Sequence, residues 1–402
     1  MKSETAELTL QSAIAKRKPT ALMLGGLLFV AFFDTFTQLP LAAPYAESLG
    51  AQGFWIGFIF GTYSITNAVG NVFAGWILDH VGRKLPLCVG FLGAGTAVAL
   101  YGTANSPEML FVIRAIHGLL GGLLVPTVFT INADWAEKAE HRRASGRIGM
   151  SIGIAALVGP SLAGILGDRL GAPTVFVIVG VSLMLAGLWV TRWNFLDRSP
   201  EEREEAVLVQ KAGKREPFVW TNEMLLTATI GALLLTSCLG SLTVVLPLEL
   251  TAAGYSSAAT GAAFSAFAVT AMLVMLLGNR LLNFATDGVN IGIGFAAISL
   301  AFMIFSVWPG LIGAIVAMAV FGMGFGVLFP PLNALVGDGN AASARGRSYG
   351  LFYAGFSGGF IVAPPVAGWL AETAGSSWVF VGLAMLALAA TIRMWRSSLP
   401  RA

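Results

Sequence analysis

Apolar residues gather into stretches of roughly 20 positions, each ended by a cluster of charged or turn-forming residues. That length suits a helix crossing a bilayer core of about 30 Å. Hydropathy and turn signals together predict spans over 21–46, 54–78, 85–104, 109–133, 146–167, 173–193, 224–248, 258–282, 289–307, 311–336, 347–370 and 377–395. The segment from Asn194 to Asn222, with Arg198, Glu201, Glu202, Arg203, Glu204, Glu205, Lys211, Lys214 and Arg215, is the one long charged interruption. The expected organisation is a tail 1–20, a bundle 21–193, a linker 194–223, a second bundle 224–395 and a tail 396–402.

Composition removes the soluble alternatives. A hydrophobic share of 56% and a charged share of 11% over 402 residues contrast with the roughly 25% charge of a soluble domain. The first 20 residues are polar, end in Lys16-Arg17-Lys18 and lead into an apolar run too long for a signal-peptide core, so they read as a cytoplasmic tail. Cys88 and Cys238 both fall within predicted spans, which leaves packing rather than disulfides to hold the fold. Of 24 basic residues, all but Arg114 and Arg169 fall on the side of the N-terminus. Because cytoplasmic loops accumulate Lys and Arg, both termini are expected in the cytoplasm, with the chain multi-pass in the cell inner (plasma) membrane. The net charge of +3 is a topology signal, and no nucleic-acid partner is implied.

The two halves repeat. A gapless shift of 204 residues places Gly118, Gly122, Pro126 and Asp134 on Gly322, Gly326, Pro330 and Asp338, and Arg143 and Gly146 on Arg347 and Gly350. The register continues through Pro160, Ala163, Gly164, Gly171 and Phe176, which meet Pro364, Ala367, Gly368, Gly375 and Phe380. The expected fold is therefore an all-α membrane protein of twelve transmembrane helices in two six-helix bundles, related by a pseudo-two-fold axis along the membrane normal.

An ionisable side chain inside a span costs about 2.5–3.5 kcal/mol on insertion scales, so each needs a reason. Asp34 lies roughly 20 Å along its helix from the cytoplasmic side, and Arg114 arrives at a similar depth from the other side, so the two charges are expected to face each other. Asp34, Thr37 and Gln38 share one helix face, and Arg114, His117, Gly118 and Gly121 share another, as the lining of a cavity. A static pair that merely tolerates burial is the alternative. Across from them the tenth and eleventh spans offer Met318, Phe321, Met323, Phe325, Phe329, Tyr353 and Phe356, a surface suited to lipophilic or aromatic ligands. The repeat partner of Arg114 is Met318, and Asp34 falls near Gly240 and Ser241, so the charges belong to the N-terminal half alone.

Three stretches carry a family resemblance. Gly75-Trp-Ile-Leu-Asp79-His-Val-Gly82-Arg83-Lys84 resembles the major facilitator superfamily loop signature Gly-x-x-x-Asp-x-x-Gly-Arg-Arg/Lys, which lies between the second and third spans. The resemblance makes Gly75, Asp79, Gly82, Arg83 and Lys84 a conformational gate at the inner mouth. Gly75 is expected to admit a neighbouring helix, Gly82 to make the turn, and Asp134 to pair with Arg83. Arg114-x-x-His117-Gly118 resembles the superfamily's fourth-helix pattern Arg-x-x-Gln-Gly, whose arginine is associated with proton coupling; histidine stands here for glutamine. Gly146, Ala155, Gly159, Pro160, Ala163 and Gly164 match the spacing of the antiporter signature Gly-x8-Gly-x3-Gly-Pro-x2-Gly-Gly, with alanine twice for glycine. Small residues and a proline suit a pliable seam between the halves.

No phosphate-cradling loop, His/Cys metal cluster or nucleophile elbow appears, so neither ATP-driven pumping nor membrane enzymology gains support, and no cofactor or metal is implied. The resemblance implies a secondary transporter working by alternating access and favours export in exchange for protons; the methionine and aromatic surface points to a small lipophilic or amphipathic substrate, and a monomer is expected. Asp34 and Arg114 would carry proton coupling, with Thr37, Gln38, His117, Met318, Phe321, Phe325, Tyr353 and Phe356 as the substrate cavity. Proton-symport uptake of a nutrient or metabolite, and a non-transporting receptor, stay open.

Overall fold

A computed structural model describes residues 20–135, 141–193, 222–281, 286–338 and 345–396. Within these, the side chains of 79, 133–135, 141–149, 279–281, 337–338, 345–346 and 396 are not described, and the charged segment 194–221 lies outside altogether. The described chain is helical: α1 Ala21–Thr37, α2 Ala42–Ser48, α3 Gly53–Val81, α4 Lys84–Tyr101, α5 Pro107–Gly121, α6 Leu124–Trp135 and α7 His141–Leu170 come first. They are followed by α8 Ala172–Thr191, α9 Glu223–Ala252, α10 Ser257–Leu281, α11 Asp287–Val307, α12 Leu311–Asp338, α13 Arg345–Ala374 and α14 Ser376–Arg396.

Local chemistry sets where these helices begin. Side-chain oxygens of Thr20, Ser106, Asn222 and Thr286 accept from the backbone N–H three residues on, at 3.1–3.4 Å, meeting donors that a helix start otherwise leaves unpaired. Gly82, at φ +91°, makes the turn between α3 and α4 in a conformation that L side chains rarely adopt. The predicted first span is broken. Pro40 has no N–H to continue the helix, so α1 and α2 meet at a bend of 46°.

Ten of the described helices are long and apolar enough to cross a membrane, with α5 and α6 joined as one stretch, Pro107–Asn132, and the bent pair α1–α2 makes an eleventh. The expected twelfth span rests on α3. At 29 residues it is long enough, but Thr62, Tyr63, Ser64, Thr66, Asn67 and Asn71 lower its apolarity, and four of them line the central cavity described below.

Two cores form. One gathers buried residues from Leu24 to Trp193 together with Val244, the other residues from Leu225 to Met394. The 204-residue register seen in the sequence recurs in the backbone: Gly171 and Gly375 both have positive φ, as do Gly50 and Gly254, and α3, α5, α7 and α8 start 204 positions before α10, α12, α13 and α14.

The cores meet along two equivalent crossings, α3 on α13 and α7 on α10. Gly57 packs on the Pro364 carbonyl and Gly261 on the Pro160 carbonyl, each so closely that a Cβ would collide. Gly368 lies likewise on Gly53, and Gly164 on Ser257. Small residues let the backbones approach, as in other membrane helix pairs. These contacts seal one end of the molecule. At the other end Val72, Trp76, Met150 and Leu276 are exposed, and a methyl group added to Gly75 or to Gly350 would meet nothing within 4 Å. The expected close approach of a helix to Gly75 is therefore absent here, because that end stands open.

Candidate functional site

Between the two cores lies a cavity of about 350 Å³, closed off at the sealed end. One wall comes from α1, α3, α5 and α6, with Thr35, Phe60, Tyr63, Ser64, Asn67 and Asn71 among its residues; the other comes from α9 and α13, with Thr243, Tyr353, Phe356, Ser357, Phe360 and Pro364.

At the head of the first wall lies a buried polar cluster. Asp34, just before the α1–α2 break, is 3% exposed, Arg114 4% and His117 1%. The Asp34 carboxylate divides between two partners: Oδ1 accepts from Gln38 Nε2 at 2.8 Å, and Oδ2 lies 2.9 Å from His117 Nε2. The second contact has the distance of an ion pair but not the alignment of an N–H···O hydrogen bond, since Nε2 has no hydrogen-bond partner by geometry. Its strength therefore depends on the charge of the imidazole. The other ring nitrogen, Nδ1, is 2.8 Å from the Tyr101 hydroxyl, which can donate to it or accept from it.

Arg114 does not touch Asp34. Its Nη1 donates to Gln38 Oε1 at 2.7 Å and its Nε to the Ile59 carbonyl at 3.0 Å. The guanidinium also lies over the rings of Phe60, Tyr63 and Tyr101, with centroids at 4.6, 5.7 and 5.6 Å, an arrangement worth about 2 kcal/mol when desolvated. The expected face-to-face pair is thus corrected. Gln38, whose one amide offers an acceptor to Arg114 and a donor to Asp34, sits between the charges, and the carboxylate's other oxygen is left to His117.

Gln38, His117, Tyr353 and Phe356 line the cavity as expected from the sequence, together with Asp34 and Arg114. Thr37, Met318, Phe321 and Phe325 do not. The Thr37 hydroxyl turns back to the Asp34 carbonyl at 2.8 Å. Met318 and Phe321 are fully buried in the second core, and Phe325 stacks on Phe329 and meets Phe267 edge-on. The facing wall is built by α13 rather than α12, because α13 crosses α3 while α12 packs between α10 and α11.

The repeat explains why the cluster is one-sided. In the 204-residue register Asp34, Gln38, Tyr63, Arg114 and His117 correspond to Cys238, Leu242, Phe267, Met318 and Phe321, which belong to the second core. The ring pair Tyr63–His117 has its counterpart in Phe267–Phe321, with centroids 4.9 and 5.8 Å apart. One geometry thus holds a polar cluster in the first half and hydrocarbon in the second.

Sequence reasoning did not single out the α3 residues. Tyr63, Asn67 and Asn71 recur at i, i+4 and i+8 on one helix face, a signal of a polar wall, and Asn71 Nδ2 donates to Asn67 Oδ1 at 3.0 Å. Of the residues expected to form a gate, Arg83 is buried and donates to the Leu78 carbonyl at 2.9 Å, capping the end of α3. Lys84 opens α4, while the side chains of Asp79 and Asp134, and the surroundings of Gly146, lie outside what is described. Gly159 packs against Phe36 and Thr37 of α1, and Pro160 and Gly164 lie in the α7–α10 crossing.

A model of the Major Facilitator Superfamily matches residues 24–342 and 291–402. Multidrug resistance protein MdtG of Salmonella paratyphi A is 31% identical over 195 residues, 46% of this chain and 48% of that protein. Multidrug resistance protein 1 of Bacillus subtilis is 26% identical over 191 residues, 48% of this chain and 49% of that protein. The chain thus spans about half the length of the curated relatives it matches. Among solved structures, the peptide transporter POT in complex with sulfate superposes with a TM-score of 0.77 at 15% identity, covering 96% of this chain and 97% of that one. The nucleoside transporter NupG gives 0.76 at 15% identity, covering 94% and 100%. At such identities the likeness is one of fold.

Proposed function

The chain belongs to the Major Facilitator Superfamily, and from that premise we propose that it is a secondary transporter that exports a small lipophilic or amphipathic molecule in exchange for protons. The observation that carries this reading is the buried Asp34–His117 pair at the head of a cavity whose opposite wall is aromatic. Ionisable groups inside a span mark ion and substrate pathways, and here a carboxylate, an imidazole and a guanidinium gather at the head of one cavity. The aromatic wall of Tyr353, Phe356 and Phe360 offers stacking area without demanding one shape. The two relatives named above are multidrug resistance proteins by name, which supports export and an amphipathic substrate.

Thr20, at the start of α1, belongs to the open end, since Gly25 packs on Ser151 beside the exposed Met150. With the termini in the cytoplasm, the state described is inward-facing, and transport proceeds by opening the sealed end while the other closes. The protein acts as a monomer, since both walls of the cavity come from one chain.

Everted vesicles holding the protein test this. With the interior acidified, added substrate should release protons, and Asp34→Asn should abolish the exchange while preserving fold, because its amide oxygen still accepts from Gln38. Substrate and protons moving in the same direction would make the protein a symporter. No flux with any of a panel of toxic cations, organic anions and sugars would overturn transport.

A further inference from the structure

At the sealed end two acids, Asp168 and Glu372, lie against helix starts of the opposite half. Asp168, in the last turn of α7, reaches across to α10 of the other half: Oδ1 accepts from the Ser257 N–H at 2.8 Å and Oδ2 from the Ala258 N–H at 2.9 Å. Ser256 Oγ accepts from the Ala259 N–H at 3.4 Å. A helix leaves its first four N–H groups unpaired, and here two of them are met by a carboxylate that belongs to the opposite bundle. Glu372, in the last turns of α13, stands 204 positions after Asp168, and Gly53, the first residue of α3, stands 204 before Ser257. The Glu372 carboxylate lies against Gly53, where a Cβ would collide with it, and the N-cap residue Gln52 makes no side-chain cap hydrogen bond of its own. The same placement therefore occurs twice, a carboxylate near the end of one helix lying against the positive start of a helix from the other half, with helix-start hydrogen bonds formed at Asp168.

We propose that Asp168 and Glu372 are the gate residues of the sealed end. Both contacts join the two halves, so both must break when that end opens, and a contact present in one state alone biases the equilibrium toward that state. Asp168, with two charge-assisted hydrogen bonds, carries the larger share. The proposal rests on the alternating-access reading for its consequence in transport, yet its direct prediction concerns populations with no substrate present.

The test is spin labelling of the full chain in lipid nanodiscs, with Cys88 and Cys238 replaced. Labels at Asn105 and Pro309, exposed near the sealed end, report that end; labels at Val72 and Leu276 report the open one. In Asp168→Asn with Glu372→Gln, the ratio of opened to closed molecules at the Asn105–Pro309 pair should rise roughly tenfold, and the Val72–Leu276 distance should shorten in the same fraction. Asp168→Asn alone should shift the ratio more than Glu372→Gln alone, and Asp168→Glu should restore the wild-type distribution. Unchanged distances at both pairs would overturn the proposal. So would lengthening at the sealed end without shortening at the other, since that means a loosened bundle instead of a released gate. Should Asp168→Asn fail to fold, Glu372→Gln alone still decides, because that exposed side chain belongs to neither bundle core.

Discussion

Arg114 is the residue whose surroundings most constrain its role. Its charge is compensated at one remove, through Gln38, and the rings of Phe60, Tyr63 and Tyr101 hold it in place. Removing one partner from a buried charged set costs about 3–5 kcal/mol, because the other is left uncompensated. Arg114→Ala should therefore abolish proton-coupled exchange, whereas Arg114→Lys should keep partial exchange with a displaced pH optimum, since an ammonium cannot bond both Gln38 and the Ile59 carbonyl from one plane. Exchange measured across a pH series checks both; full activity in Arg114→Ala would remove the residue from the coupling machinery. That Asp34 and Arg114 belong to one buried cluster was legible in the sequence, because a charge in hydrocarbon demands a reason. That His117, and not Arg114, lies against the carboxylate was not legible, because it depends on which way one glutamine amide turns.

At the scale of helices, glycine placement decides what can meet. Gly118 lies on the Tyr63 carbonyl and the Thr66 hydroxyl, and Gly70 and Gly122 continue the same α3–α5 crossing. A side chain there must push α3 outward and take Tyr63 from the face of His117. Overpacking of this kind costs about 1–3 kcal/mol, so Gly118→Val should lower the unfolding temperature in detergent and weaken substrate binding together, as fluorescence melting and a binding titration would show. A variant with unchanged melting and binding would mean that the crossing relaxes freely. The small-residue pattern of the fifth span announced its place in the seam, because Pro160 and Gly164 stood at signature spacing. The expected wall from α12 gave way to one from α13 for a physical reason. Met318 and Phe321 on α12 and Phe356 on α13 look alike in composition, and only the crossing of α13 with α3 settles which of them reaches the cavity.

For the molecule as a whole, the state described has one end sealed and the other open, and the stretch 75–84, expected from the sequence to act as a gate, belongs to the open end. We expect the Asp79 charge to hold that end closed in the opposite state, at the start of α13, where a helix N-terminus favours an anion by about 0.3–1 kcal/mol. Asp79→Asn should then bind substrate almost normally, transport it slowly, and increase labelling of a cysteine at Gly350, which is exposed here. Ser348 is a poor reporter because it is fully buried. Lost binding with unchanged labelling would make Asp79 a contact residue instead. The two-bundle plan was legible from the 204-residue register, which survives in helix starts and turn glycines, while the break at Pro40 and the polar character of α3 came only with the structure.

The paired crossings have one more consequence. Because Gly57 meets the Pro364 carbonyl as Gly261 meets the Pro160 carbonyl, each half presents to the other the same two surfaces, and the junction has the logic of an isologous dimer. Such a junction carries its own instructions for assembly and does not need a covalent tether to find its partner. A gene cut between the codons for Trp193 and Asn222, with each part supplied with its own start, should yield two polypeptides that copurify and recover exchange when co-expressed, and neither should be active alone. Failure of the fragments to copurify would show that continuity of the chain, and not the matched surfaces, brings the halves together.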